Sequence, residues 1–263
     1  MSDSTFTVAA TVDPKELEQK VKDMYRDVAL NPAGDYHFEM GRGLAERLGY
    51  SADDLDRIPA ASIDSFAGVG CYFDLADIQN GESVVDFGSG SGMDTFVAAL
   101  RTGASGRVVG IDMTNEQLAK ASRLANEAGA ENVWYVKGFL DNAPCEDESF
   151  DVVISNGVFN LAADKHQVFG EVARVLKPGG RLALSDIVSE KQLPENITCN
   201  TTYWAACIGG AMQIDEYRDT IESAGLRIVA TRDNPEYAFI SGGAQGAMRD
   251  HGVKSISILA KKI

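Results

Sequence analysis

The strongest chemical signal in the sequence is a glycine-rich turn that follows a short apolar segment, VVDFGSGSG (84–92). Its glycines permit backbone conformations, and a close approach of backbone N–H groups to a ligand, that side chains would prevent. Met93 occupies the position where a dinucleotide fingerprint needs its third glycine, and no GK[ST] follows for a P-loop. Asp86, just before the turn, places a carboxylate where a cationic amine fits better than a pyrophosphate.

A second acidic residue, Asp112, ends the next apolar segment, VVGIDM. A carboxylate at the tip of the second strand can accept hydrogen bonds from both hydroxyls of a ribose. A ligand with an amino-acid end and a ribose end would satisfy both Asp86 and Asp112. S-adenosylmethionine has both ends, so the pair predicts a site for this cofactor.

Thiols are the second group that could do chemistry: Cys71, Cys145, Cys199 and Cys207. No two form a CxxC pair, which disfavours a zinc ribbon or a thioredoxin-type site. We expect free thiols in a reducing compartment. The spacing leaves two interpretations open, because a thiol can fill a partly buried space or bind a thiophilic atom.

His37, in the segment Tyr36-His37-Phe38, is a candidate base for a hydroxyl, thiol or amine acceptor. This role requires the N-terminal region to close over the cofactor; otherwise His37 is an ordinary surface or packing histidine. Tyr203 and Trp204 are candidates for an aromatic wall that attracts a sulfonium cation, or for the core.

These residues need a scaffold that brings several strand ends together. From residue 83 the pattern alternates between strands and helices, which predicts an α/β fold with a mostly parallel, doubly wound sheet and helices on both faces. The continuous apolar runs agree with strands that are covered on both faces. The predicted strands are 83–87, 107–112, 132–138, 150–156 and 177–188, and the predicted helices are 93–103, 115–129 and 164–176. One more helix and two closing strands in 214–233 and 255–262 make seven strands.

We predict that residues 1–80 form an N-terminal tail and a helical cap, and that 81–263 form the cofactor-binding domain. A helix over 13–29 begins with Asp13 as N-cap and Pro14 at the first position. Shorter helices are predicted at 41–50 and 51–58, with a connecting loop over 59–82. The stretch 193–212 is too long for a plain connection, which predicts a lid or wall of the site.

The chain has 39 acidic and 24 basic residues, a formal charge of −15. This charge argues against a general nucleic-acid binder and against binding to an anionic membrane. No apolar run is long enough for a transmembrane helix, and the first residues lack the pattern of a signal peptide. We expect a cytoplasmic protein that acts on a small-molecule acceptor; the oligomeric state is left open.

Four motifs in their order along the chain resemble class I S-adenosylmethionine-dependent methyltransferases, which implies a Rossmann-like fold. They are VVDFGSGSG, VVGIDMT, FDVVISN and LKPGGRLALSDI, within about residues 81–190. Over nearly the whole chain the sequence more narrowly resembles the arsenite methyltransferases. The segments that carry this resemblance are GYSADDLDRIP, SFAGVG, GSGSGMD, GIDMT, SNGVFNL and YWAACIGGAM.

The resemblance implies two groups of cofactor-binding residues. The group at the methionine part and the methyl donor consists of Asp86, Gly88, Ser89, Gly90 and Asn156. The group at the ribose and adenine consists of Asp112, Met113, Gln117, Phe139 and Leu140. For Phe139 and Leu140, packing in the core is the alternative.

Arsenite methyltransferases that resemble this chain hold trivalent arsenic with three cysteines, because soft thiolates suit a soft metalloid. Cys207 falls on the last of these and Cys71 falls close to the first, which implies contact of both with the acceptor. The middle position is Gly157, so the three-thiolate site is incomplete. Cys199 could replace it only from a loop, because one helix would separate it from Cys207 by about 12 Å.

Three functions therefore remain open at the level of the sequence. The first is methylation of a trivalent arsenical, which two thiols could still bind. The second is methylation of a small thiol, amine or hydroxyl by a chain that has lost the arsenic site. The third is a cofactor-binding module without catalysis, which a blocked acceptor cavity would favour.

Overall fold

The computed structural model describes residues 13–198 and 208–263. One sheet has the strand order β3-β2-β1-β4-β5-β8-β7, and a short β6 pairs with β5 off this path. Strands β1 to β5 pair in parallel, whereas β8 runs antiparallel to both β5 and β7. The strands are β1 Ser83–Phe87, β2 Arg107–Asp112, β3 Val133–Lys137, β4 Phe150–Asn156, β5 Leu176–Ser189, β6 Met212–Gln213, β7 Leu226–Asp233 and β8 Lys254–Lys262. The predicted doubly wound sheet of seven mostly parallel strands is confirmed, and β6 is an addition to it.

The central strands bury side chains on both faces of the sheet. Val84 and Val85 are both inaccessible to solvent, and they belong to different core clusters because neighbouring side chains point to opposite faces. Phe96 packs in the cluster on the face of Val84, and Phe169 packs in the cluster on the face of Val85. Covering on both faces explains why the strand sequences are continuous apolar runs.

Eleven helices lie in the described residues, together with a 3-10 turn at Phe159–Leu161. They are α1 Pro14–Leu30, α2 Arg42–Leu48, α3 Ala52–Leu55, α4 Ala60–Asp64, α5 Phe73–Ala76, α6 Met93–Thr102, α7 Asn115–Ala128, α8 Lys165–Val175, α9 Glu195–Thr198, α10 Ile214–Ser223 and α11 Gly242–His251. Helix α1 begins as predicted, since the Asp13 side chain accepts a hydrogen bond from the backbone N of Lys15.

The prediction of a plain loop over 59–82 is wrong, because α4 and α5 lie within it. Each has at most five residues, too few to show a helical period in the sequence. Helix α11 was also missed. Its sequence, GGAQGAMRDH, contains three glycines, which lower the intrinsic preference for a helix.

The predicted cap shares one hydrophobic core with the sheet. Leu44, Leu55 and Ile63 pack in the same cluster as Val84 and Phe96. The predicted lid at 193–212 lies partly outside the described residues. In its described part, Leu193, Ile208 and Ala211 are buried together with Leu17 and Val21 of α1. The described helices include none with the length and apolar character that crossing a membrane requires.

Candidate active site

A cavity of about 240 Å³ lies at the carboxyl ends of β1, β2 and β4. Strand β1 stands between β2 and β4, so the chain leaves it in one direction and later returns on the other side. Open parallel sheets bind ligands at such a switch point. The first turns of α1, through Leu17, Val21 and Tyr25, and the segment 65–68 cover the cavity.

The structure brings all ten residues of the two predicted cofactor groups to this one cavity. They are Asp86, Gly88, Ser89, Gly90, Asp112, Met113, Gln117, Phe139, Leu140 and Asn156. Their individual roles toward the cofactor remain predictions.

The glycine turn has the positive φ angles that its sequence predicts. Gly88, Gly90 and Gly92 have φ of 80°, 51° and 92°. A Cβ on Gly88 would lie 2.6 Å from Val158, whereas a Cβ on Gly90 would meet only Gln117 Oε1 at 3.8 Å. The backbone at Gly90 is therefore open toward the cavity.

Asp86 is a buried carboxyl group at the end of β1. It is 2% exposed, and Oδ2 accepts a hydrogen bond of 2.7 Å from Thr95 Oγ1. Burial, and then the charge of Asp94, raise the pKa of the Asp86 carboxyl well above its usual value. Within residues 13–198 and 208–263, no Lys, Arg or His forms an ion pair with it. A cationic ligand group would remove this penalty.

Asp112 is held by backbone N–H groups at the end of β2. Oδ1 accepts from Thr114 N at 2.8 Å, and Oδ2 accepts from Gly90 N at 3.0 Å. Burial raises the pKa of Asp112, and these hydrogen bonds oppose the rise. The bond to Gly90 ties the end of β2 to the glycine turn and fixes the separation of the two acidic positions.

Gln117 connects α1 to the glycine turn. Its Nε2 donates to the carbonyl of Tyr25 at 2.8 Å, and its Oε1 accepts from Ser91 Oγ at 2.5 Å. At the other end of the cavity Phe139 is 37% exposed, and Lys22 Nζ lies 4.7 Å from the centre of its ring. Helix α1 thus reaches both the predicted ribose side and the predicted adenine side.

A network of buried polar groups at the β4 side was missed by the sequence analysis. Asp94 accepts hydrogen bonds from Tyr50 Oη at 2.6 Å, Tyr72 Oη at 2.8 Å and Asn156 Nδ2 at 3.1 Å. Asn156 Oδ1 accepts from Val69 N at 2.8 Å. The one signal in the sequence is Asp94 itself, an acidic residue two positions after Gly92, in the first turn of a helix that is apolar from Phe96 to Leu100.

The donor set fits S-adenosylmethionine. Asp86 on β1 forms no ion pair with a basic side chain among the described residues, and a second carboxylate, Asp112, lies on the neighbouring strand. Ser89 Oγ is buried at the cavity and has no hydrogen-bond partner among the residues that the structure describes. A hydroxyl in this position is available to a bound ligand.

The structure separates Cys71 from this cavity. Cys71 lines a second cavity, with Tyr50, Phe73, Arg101 and Arg232, and it is not among the residues that line the first. Burial raises the pKa of the Cys71 thiol to about 11, so the thiol is protonated at neutral pH. Cys145 lies on the other face, against the cluster of Val85. Cys199 and Cys207 lie outside the described residues.

The residue that faces position 157 is Val69. A Cβ on Gly157 would lie 3.1 Å from Val69 Cγ1, and Gly157 has a φ of 70°. Strain would therefore accompany a side chain at 157, and that side chain would contact an aliphatic group.

His37 is not among the residues that line the cavity. Its ring lies 4.8 Å from that of Phe38, which stacks at 6.2 Å on Tyr25, and Tyr25 lines the cavity. The role of His37 as a base remains a prediction. Tyr203 and Trp204 lie outside the described residues.

Comparison with known proteins decides the family. Residues 78–225, more than half of the chain, match the family model described as a methyltransferase domain. The chain belongs to this methyltransferase family. The prediction of a class I S-adenosylmethionine-dependent methyltransferase is confirmed at the level of the family, and with it the cofactor.

Several relatives of this methyltransferase are arsenite methyltransferases. It is 37% identical over 243 residues to the arsenite methyltransferase of Halobacterium salinarum, across 87% of this chain and 62% of that protein. It is 41% identical over 152 residues to human arsenite methyltransferase, across 54% of this chain and 40% of that protein. The chain thus spans between two fifths and two thirds of the length of these relatives.

Solved structures show the same fold. An arsenic(III) S-adenosylmethionine methyltransferase from Chlamydomonas reinhardtii superposes with a TM-score of 0.63 and 26% identity, over 86% of this chain and 74% of that chain. A geranyl diphosphate methyltransferase superposes with a TM-score of 0.68 over 94% of this chain and all of that chain. At 18% identity the second likeness shows the fold alone.

Proposed function

We propose that this methyltransferase transfers the methyl group of S-adenosylmethionine to a trivalent arsenical. The observation that carries the proposal is the 37% identity to an arsenite methyltransferase over 87% of the chain. The cavity supports it, because its lining continues past Asp86 to Asn156 and the segment 65–68, where an acceptor can approach the methyl donor.

The cofactor supplies a methyl group that its sulfonium already activates, so the reaction needs an acceptor lone pair in line with that methyl group. Positioning and exclusion of water can then provide much of the rate. In this chain Asp86 and Asp112 bind the two ends of the cofactor. Asn156, held by Asp94 and by the backbone N of Val69, fixes the floor of the acceptor end.

The arsenical is held by fewer than three protein thiolates. Gly157 provides no thiol, and the thiol of Cys71 is protonated and lines the second cavity. Cys207 remains the candidate ligand. Arsenous acid is uncharged at neutral pH, so it does not need a basic residue for binding.

A second candidate is methylation of a small thiol, amine or hydroxyl. The contact of position 157 with Val69, and the place of Cys71 in another cavity, favour this candidate because both weaken the case for a thiolate site. The base would then be water or His37, whose ring contacts Phe38, which in turn stacks on Tyr25 of the cavity lining.

Calorimetric titration with arsenite, monomethylarsonous acid and a panel of small thiols, in the presence of S-adenosylhomocysteine, tests the proposal. We expect binding of the arsenicals by the native protein, loss of that binding in Cys207→Ser, and little change in Cys71→Ser, the matched control. Absence of binding of either arsenical, with binding of a thiol from the panel, would favour the second candidate.

A further inference from the structure

The lining of the active-site cavity carries charge of one sign. In the part of the chain that the structure describes, its charged side chains are five carboxylates, Glu18, Asp86, Asp94, Asp112 and Asp141, with no Lys, Arg or His. The sequences of 1–12 and 199–207 contain no Lys, Arg or His either. The acidic residues are therefore not balanced by a basic side chain from these segments.

Three lysines of the surrounding elements contact residues that line the cavity. Lys165 of α8 donates to the carbonyl of Ala162 at 3.1 Å. Lys22 of α1 pairs with Glu18 and lies over the ring of Phe139. Lys120 of α7 donates to the carbonyl of Ala29 at 3.3 Å and to Ser65 Oγ at 2.7 Å. None of these lysines is among the residues that line the cavity.

Asp94 lines the cavity beside Asn156, the residue predicted to lie near the methyl donor. Its carboxyl group accepts hydrogen bonds from Tyr50, Tyr72 and Asn156. Asn156 is the last residue of β4, which pairs with β1 on the side opposite to β2 and Asp112. Burial raises the pKa of the Asp94 carboxyl, and the three hydrogen bonds oppose that rise. The three donors stabilise the ionised form of Asp94. A cationic cofactor in the cavity favours this form further, so the negative charge belongs to the complex with cofactor.

We propose that the acceptor end of this cavity admits neutral or cationic acceptors and rejects anionic ones, and that Asp94 is the residue that sets this selection. The inference rests on the proposed methyl transfer, but it does not require that the acceptor be an arsenical. The same charge favours the cationic donor over its neutral product, because transfer of the methyl group removes the sulfonium charge.

Charge repulsion is strong in such a place because little water screens it. A unit charge a few ångströms from a buried carboxylate changes an equilibrium by about tenfold or more. Asp86 and Asp112 are occupied by the cofactor in the proposed complex, whereas Asp94 is engaged only by uncharged donors. Its charge therefore remains to act on the acceptor.

Calorimetry with three ligands measures this charge without any acceptor. Sinefungin carries an amine that is protonated where S-adenosylmethionine carries its methyl group, and S-adenosylhomocysteine is neutral there. In Asp94→Asn we expect the ratio of sinefungin affinity to S-adenosylhomocysteine affinity to fall by about tenfold relative to the native protein. Asp74→Asn, an exposed acidic residue outside this cavity, should leave the ratio unchanged.

An unchanged ratio in folded Asp94→Asn overturns the proposal. If that variant does not fold, Tyr72→Phe removes one of the three donors and should lower the same ratio by a smaller factor; no fall in this variant is then the contrary result. An equal fall of the affinity ratio in Asp74→Asn would also overturn the proposal, since the ratio would then depend on the net charge of the protein and not on Asp94.

An acceptor pair separates this inference from the proposed arsenical. 2-Mercaptoethanol and mercaptoacetate are thiols of similar size, of which only the second carries a carboxylate. With either as acceptor or as competitor, we expect the neutral thiol to be favoured by about tenfold in the native protein and the difference to shrink in Asp94→Asn. Equal affinity for both thiols overturns the charge selection, whereas failure of the arsenicals alone overturns only the arsenical.

Discussion

The two ends of the active-site cavity are built in different ways. The proposed cofactor end consists of Asp86 and Asp112, at the carboxyl ends of two neighbouring strands, and of the glycine turn between them. The proposed acceptor end is assembled from Asn156 on β4 and the segment 65–69, which are remote in sequence. The sheet therefore fixes the position of the proposed donor site. The proposed acceptor site depends on the packing of loops, whose residues can change more freely. Gly157, where the resemblance implies a cysteine, is an example.

Removal of the charge at Asp86 should have the largest effect of the changes considered, because it acts on cofactor binding at the proposed cofactor end. In Asp86→Asn we expect about a 100-fold loss of S-adenosylmethionine affinity, because the buried cationic amine would lose its charged partner. Calorimetric titration measures the affinity, and circular dichroism checks that the variant is folded. A loss of affinity of less than threefold would show that the amine of the cofactor does not contact Asp86. The proposed cofactor end would then not depend on this strand residue.

The pH dependence of cofactor binding should be the next largest effect. Burial raises the pKa of Asp86, Asp94 and Asp112 in the protein without cofactor. The same carboxyl groups have a lower pKa in the unfolded chain. Their contribution to the free energy of unfolding is therefore present at acid pH and is lost as the pH rises through the pKa values of the folded protein. Cationic cofactor favours the ionised forms, so binding releases protons.

We therefore expect S-adenosylmethionine to bind more tightly as the pH rises above the usual pKa of a carboxyl group, by at most about tenfold per pH unit for each proton released. Thermal unfolding with and without cofactor measures this as a stabilisation that grows with pH. Asp86→Asn, which has one titrating group fewer, should show a shallower dependence. Binding that is independent of pH would mean that the three carboxyls are already ionised.

Substitution of Cys71 should have the smallest effect. In Cys71→Ser we expect kcat/KM for methyl transfer to change by less than about twofold, because the thiol is protonated and lines the second cavity. A steady-state assay with the accepted substrate measures it. A tenfold loss would instead place the thiol at the acceptor, as the sequence predicted, and would join the two cavities in one site.

The local sequence determined the donor end of this protein. The apolar strands, the positive φ of Gly88 and Gly90, and the carboxylates Asp86 and Asp112 depend on residues close in the chain, and each was predictable. Parallel strands then bring their carboxyl ends to one edge, so the meeting of the two carboxylates follows from the topology alone.

Only the tertiary structure decided the acceptor end. The bonds of Asp94 to Tyr50 and Tyr72 join a helix of the sheet domain to the cap, and no local pattern encodes such contacts. Cys71 faces the second cavity because Arg232 of β7 holds its carbonyl at 2.7 Å. Side-chain direction at such positions depends on partners far away in the sequence, and these meet only when the chain has packed.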